Sequence, residues 1–418
     1  MRTAIIGALL VATSGCGLFA PPEQNDHCEE LNRELRTCIG ETFAPLSCDR
    51  LSPGDVDTIS GLLSGLGCTV LSGAVPGDGD VLTSTCRLLG VGCEDAFTPA
   101  PVHAPARYPV LMVNGIDNSP AFSYSRRILQ MMRDVGGHDV RLATVPPFDA
   151  PRIRAAVLWR HVQKVRADTG AAKVNLICHS LGGLDCRYLV SEGGLHWDLD
   201  DTSHEAIRSS VASITMISTA HRGTPAADLA LGYLPDGDRF DGINRIATLL
   251  GGWFTERTLQ EDVHLREALM ALSSSTAKAF NAEIVDAPGI YYQSWAGYSR
   301  PFGVATTEHD ARLAELCKTS DGGDGLSEHF TGSHDYLALD LIGTGEVISS
   351  SAGDDKIVPN DGLAPVASAR WGRFRGCIPA DHKEQLGQQN LADVNVRSGF
   401  DVARFYTNIA GELSGMGF

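Results

Sequence analysis

The chain has 418 residues, 43% hydrophobic and 20% charged, enough apolar material for a large buried core. The formal net charge is −17 at pH 7 and no basic run exists, which argues against nucleic acid as a partner. Beyond the N-terminus no segment is apolar for long enough to span a bilayer.

Residues 1–21 read as an export signal. Arg2 supplies a minimal positive start, and Ala4 to Ala12 is apolar but too short to cross a membrane. Thr13-Ser14-Gly15-Cys16 follows and resembles the lipobox of bacterial lipoproteins, with Thr13 where Leu is usual. Lipid anchoring at Cys16 is therefore favoured over simple secretion, giving an exported protein at the outer membrane or cell surface, or free outside the cell.

Setting Cys16 aside leaves ten of the eleven cysteines, an even number, and six of them (Cys28, Cys38, Cys48, Cys68, Cys86, Cys93) fall within 22–97. In an exported chain without a C-x-x-C pair this predicts disulfides rather than a zinc site. Helical spacing at Leu31, Leu35 and Cys38, and again over Asp55–Leu66 and Val81–Leu89, predicts a small disulfide-rich helical module. Residues 98–107 are a Pro/Ala-rich linker.

From residue 108 to the end, strand and helix signals alternate. Strands are expected at Val110–Val113, Val140–Val145, Val174–Cys178, Val211–Ile217 and Ile290–Trp295. Helices are expected over Phe122–Val135, Arg152–Ala167 and Leu181–Val190. The expected fold class is α/β, with a mostly parallel central sheet covered on both faces.

Cys178-His179-Ser180-Leu181-Gly182 joins the expected strand Val174–Cys178 to the expected helix Leu181–Val190 in a way that matches the nucleophile elbow of an α/β-hydrolase. Small residues are needed two places before and after the serine, because the turn is tight. Gly182 meets that need, and Cys178 stands where the pattern has its first glycine. Ser180 is the candidate nucleophile, at a helix N-terminus that favours a developing negative charge.

The fold demands an acid and then a histidine later in the chain. Asp361, in the turn sequence Asn360-Asp361-Gly362, is the candidate acid, with Asp354 and Asp355 as rivals. His382 is the only histidine after it and is the candidate base. The oxyanion donors would be the backbone N–H groups of Leu181 and of Ile116, the latter after Gly115, which permits close approach.

Tyr108 to Gly115, Lys173 to Ser180, His221 to Asp228, Phe280-Asn281-Ala282, Tyr291 to Trp295 and the Asp361–His382 spacing together resemble the bacterial true lipases of the Pseudomonas and Burkholderia type. The resemblance runs from about Tyr108 to Gln388 and leaves the cysteine module outside. Asn114 stands where many relatives have His. The resemblance implies a triacylglycerol lipase with a helical lid inserted at about 228–280, whose apolar face would include Phe240, Ile243, Leu250, Trp253 and Phe254. It also implies a disulfide between Cys317 and Cys377, while Cys178 and Cys186 are either free or bridged. No cofactor is required for the chemistry. A structural calcium is implied at Glu384 and Gln388 with Asp335 or Asp340; Glu384 stands where the family has Asp.

The expected activity is a serine carboxylic-ester hydrolase on acylglycerols, in transient contact with a lipid interface. Some members of the family need a folding chaperone. A short-chain esterase or acyltransferase is the alternative among enzymes, and a surface-binding lipoprotein on a hydrolase scaffold is the alternative of another class.

Overall fold

The computed structural model describes residues 29–33, 104–117, 122–199, 203–233, 264–300, 307–326, 337–338, 341–353, 357–387 and 400–418. The chain divides into two compact units, Met1–Glu94 and Asp95–Phe418. In the first unit residues 29–33 are helical. The six cysteines of that module, and Phe240 to Phe254 of the expected lid, lie outside the described residues.

The second unit is built on a six-stranded sheet in the order β2-β1-β3-β4-β5-β6. The strands are β1 (Val110–Val113), β2 (Val140–Ala143), β3 (Val174–His179), β4 (Val211–Ile217), β5 (Tyr291–Gly297) and β6 (Arg373–Ile378). Every neighbouring pair is parallel. β3 and β4 are buried at every position, as strands covered on both faces must be.

Side chains alternate between the two faces. On one face Leu111, Val113, Leu176, Cys178, Ile214 and Met216 meet α1 (Pro151–Thr169) through Ala155, Leu158 and Val162. On the other, Val110, Met112, Ile177, Ile217 and Trp295 meet a C-terminal helix, Val402–Gly415, through Phe405, Tyr406 and Ile409. α1 opens with Pro151 at its first turn and stops at Gly170, which adopts the left-handed conformation at φ 69°.

Three local expectations are corrected. The segment expected as one helix over Phe122–Val135 is an α-helix only at Arg126–Gln130, capped by Ser125, and then widens to a π-helix at Met131–Val135. β2 ends at Ala143, not Val145. β6 was not expected from the sequence. Its two arginines alternate with buried residues because it pairs on one side only, with β5, so its pattern is that of an edge.

The sheet delivers the chemistry-bearing loops to one edge. Residues 114–116, Ser180, Ser218 and His382 all follow the carboxyl ends of strands, where open α/β sheets carry their sites.

Candidate active site

Ser180 sits between β3 and α2 (Gly182–Val190) with φ 55°. Phe148 (φ 54°) and Ser218 (φ 49°) are the other non-glycine residues with positive φ among the described residues. All three line one cavity, so the backbone strain of the described residues is gathered at this site. The Ser180 N–H bonds Ile217 O at 2.9 Å, fixing the turn to the end of β4.

The turn tolerates no bulk. A Cβ on Gly182 would lie 2.5 Å from Asn114 O, and one on Gly115 would lie 2.8 Å from Ser180 Cβ. The loop after β1 is thus pressed against the nucleophile turn, which brings Ile116 and Leu181 to the same place. Neither N–H donates to any group of the described residues. Ile116 lines the cavity, and its carbonyl accepts from Phe148 N at 2.7 Å. Cys178 and Cys186 are joined by a disulfide, so the small residue before the serine is one end of a covalent staple between β3 and α2.

His382 follows β6 and lies in the same cavity as Ser180. Its Nδ1 is 2.8 Å from Asp361 Oδ2, and its N–H donates to Asp361 O at 2.9 Å. Asp361 is fully buried. Its Oδ1 accepts from Leu363 N (3.1 Å) and Ala364 N (2.7 Å), and its Oδ2 also accepts from Gln385 Nε2 (2.9 Å). Burial alone would raise its pKa, but His382, the Ala364 N–H and the Gln385 amide outweigh it and hold the carboxyl below its ordinary value. The Asp361–His382 pair therefore presents the other ring nitrogen, Nε2, as the proton acceptor. Asp354 and Asp355 lie outside the described residues.

Gln385 was not singled out in the sequence. Its Oε1 lies 3.2 Å from His179 Nε2, and the network assigns the His179 proton to that nitrogen, because the Gln385 amide nitrogen already faces Asp361 and Ala380 O. A side chain on Gly297 would lie 1.8 Å from Gln385 Nε2, so the glycine leaves room for this bridge. His179 is held neutral, its pKa well below 6.5 by burial and by the neighbouring His382, whose ring centroid is 4.5 Å away. The Tyr406 hydroxyl donates to Gln385 O at 3.0 Å and braces the turn from behind.

The Cys317–Cys377 disulfide ties the helix Thr307–Cys317 to β6, five residues before His382. Of the calcium candidates, Gln388, Asp335 and Asp340 lie outside the described residues. Glu384 is buried, and its Oε2 accepts from Asp381 N at 3.2 Å. Among the described residues no group of three or more His, Cys, Asp or Glu could hold a metal ion. Only Glu384 of the proposed set lies within the described residues, and no step below passes through a metal.

The cavity has a volume of about 730 Å³, counting its mouth. Its walls include Phe148, Ala226, Ala227, Ala230, Leu269 and Leu272, and its polar lining residues are Asp117, Ser180, Ser218, Thr224 and His382. Such a site fits an apolar chain ending in a polar, reactive group.

No protein-family model matches the chain. Across about two-thirds of its length the chain is related in sequence to triacylglycerol lipases. It is 27% identical over 309 residues to the triacylglycerol lipase of Burkholderia plantarii, covering 68% of this chain and 80% of that one. It is 25% identical over 298 residues to triacylglycerol lipase 2 of Saccharomyces cerevisiae, covering 68% of this chain and 71% of that one. A shorter stretch of 135 residues, 31% of this chain and 38% of the other, is 36% identical to the triacylglycerol lipase of Vibrio cholerae. Among solved structures, EstA from Clostridium botulinum is similar over 76% of this chain and 88% of its own, at 18% identity and a TM-score of 0.46.

Proposed function

We propose that the chain is a serine carboxylic-ester hydrolase acting on acylglycerols. The observation that carries this reading is the buried Asp361–His382 pair, bonded at 2.8 Å, opening on the same cavity as a serine at φ 55°. The relation to triacylglycerol lipases supports the same class of substrate.

The Ser180 hydroxyl attacks the ester carbonyl carbon while His382 Nε2 takes its proton. Asp361 holds the ring and balances the imidazolium charge. The carbonyl oxygen, now an oxyanion, is received by the N–H groups of Ile116 and Leu181. Collapse breaks the ester C–O bond, and His382 returns the proton to the leaving alcohol. Water, activated by the same histidine, then attacks the acyl-enzyme; the second collapse releases the acid and restores Ser180. The apolar walls take the acyl chain, which favours a lipase over a short-chain esterase.

A fluorophosphonate probe tests the site. It is expected to label Ser180 and nothing else. Failure to label Ser180 in folded protein, or labelling elsewhere, contradicts the reading and favours a binding lipoprotein on this scaffold.

Two further elements belong to the proposal. Calcium held by Glu384 and Gln388 with Asp335 or Asp340 would brace the His382 loop; a lowered Tm in a chelator, restored by calcium, is the expected sign, and an unchanged Tm removes calcium from the account. Export with lipid at Cys16 predicts a mature N-terminus that begins there and carries acyl mass, and a free thiol in its place contradicts anchoring. Among the described residues no helix is long and apolar enough to cross a membrane.

A further inference from the structure

We infer that Arg154 is a positioning residue for the oxyanion hole, orienting and polarising the peptide that carries the Ile116 N–H. The inference rests on the proposed function, since it assigns a role within that reaction.

Arg154 lies on α1, outside the triad, and is completely buried. Its guanidinium spends its donors on four acceptors. Nε donates to Asp185 Oδ2 at 2.8 Å and Nη1 to Pro146 O at 2.6 Å. Nη2 donates to Asn114 O at 3.0 Å and to Gly115 O at 2.6 Å. The last contact is the important one. Gly115 C=O and Ile116 N–H belong to one peptide unit. In a trans peptide the two groups point in opposite directions, and the described residues contain no cis bond. A cation fastened to the carbonyl side therefore aims the N–H the other way. It also draws electron density toward the carbonyl oxygen, which makes the N–H a stronger donor.

The remaining contact extends the effect to the second donor. Asp185 is in the first turn of α2, whose N-cap is Leu181. One side chain thus links the loop that carries Ile116 to the helix that carries Leu181. Pro146 O ties in the loop of Phe148, whose own N–H bonds Ile116 O. Burial requires the guanidinium donors to be satisfied in any case; what distinguishes this site is that two of the acceptors, Asn114 O and Gly115 O, are consecutive carbonyls leading into the Ile116 N–H. Lysine could keep the charge opposite Asp185 but, as a point donor, could not reach all four acceptors.

The test uses the full-length protein with p-nitrophenyl butyrate as substrate and n-butylboronic acid as a tetrahedral mimic that places an oxygen in the hole. Arg154→Lys is expected to lower kcat at least tenfold with KM within twofold, and to weaken boronate inhibition by a similar factor. A folded Arg154→Lys protein with wild-type kcat and wild-type boronate affinity overturns the inference, as does a loss confined to KM. Should that variant fail to fold, Asp185→Asn decides. It keeps the shape and an acceptor for Nε, and is expected to lower kcat at least threefold at unchanged KM; an unaltered kcat overturns the inference. Wild-type protein without Ser180-dependent activity would instead overturn the proposed function, so the two failures are told apart.

Discussion

Cys178, two residues before Ser180, is bonded to Cys186, six residues after it. Both are completely buried, so the nucleophile turn is closed by a staple that solvent does not reach. A loop of this size contributes roughly 2–3 kcal/mol in the chain-entropy account. The double variant Cys178→Ala/Cys186→Ala is expected to melt about 5 °C lower, and the bridge of folded wild type is expected to resist dithiothreitol well below the Tm. A double variant as stable as wild type would contradict a structural role for the bridge.

Gln385 couples the triad acid to His179 through one amide. Replacing it by Leu removes a hydrogen bond to a buried carboxylate, worth roughly 1.5–3 kcal/mol when the partner is charged. Gln385→Leu is expected to lower kcat about tenfold with little change in KM. An unchanged kcat would mean that the two backbone N–H groups of Leu363 and Ala364 suffice to hold Asp361.

Ala227 is buried on the helix Pro225–Tyr233 and contributes to the cavity wall. A large residue there shortens the space open to an acyl chain. Ala227→Phe, checked for an unchanged fold, is expected to lower kcat/KM for a palmitate ester at least tenfold relative to a butyrate ester. Equal effects on both would remove this wall from the account of chain length.

Acid should weaken the fold before it protonates the triad carboxylate. His179 and His221 are buried and neutral, with pKa values held well below 6.5, first by burial and then by His382 for the one and by Arg187 and Arg222 for the other. A histidine whose folded pKa is depressed contributes stability that is complete above about 6.5 and is lost as pH falls below it. Asp361, depressed below 3.8, adds to the loss only at lower pH. Asp185 works the other way, since burial raises it to about 6 against the pull of Arg154, and its cost is relieved as pH falls through that value. Two histidines against one carboxyl predict a net fall in Tm from pH 7 to pH 5. His221→Gln should flatten that fall, and a variant that follows the wild-type slope would contradict the assignment.

The elements that were legible in the sequence are those with local signatures. β1, β3 and β4 are unbroken buried runs, and Ser180 is announced by the small residues around it. Asp361 and His382 could be named because the fold fixes their order along the chain. The supporting residues had no such signal, because their partners are far away: Arg154 meets Gly115 across 39 residues and Gln385 meets His179 across 206. One hint was available. Arg154 shares the helical stripe of Leu158, Val162 and Val165, all buried, and a charge on an apolar stripe calls for a buried partner. For Gln385 only its place three residues after the base pointed anywhere. The Cys178–Cys186 bridge was undecided because spacing alone does not distinguish a bonded pair from two thiols.

The most direct measurement is hydrolysis of p-nitrophenyl esters from acetate to palmitate by wild type and Ser180→Ala. The account predicts wild-type activity that favours longer chains and is lost in the variant by a factor of at least about 10³. Wild-type protein that is folded, disulfide-bonded and supplied with calcium yet cleaves none of these esters, or a Ser180→Ala variant that cleaves them as well as wild type, would contradict it.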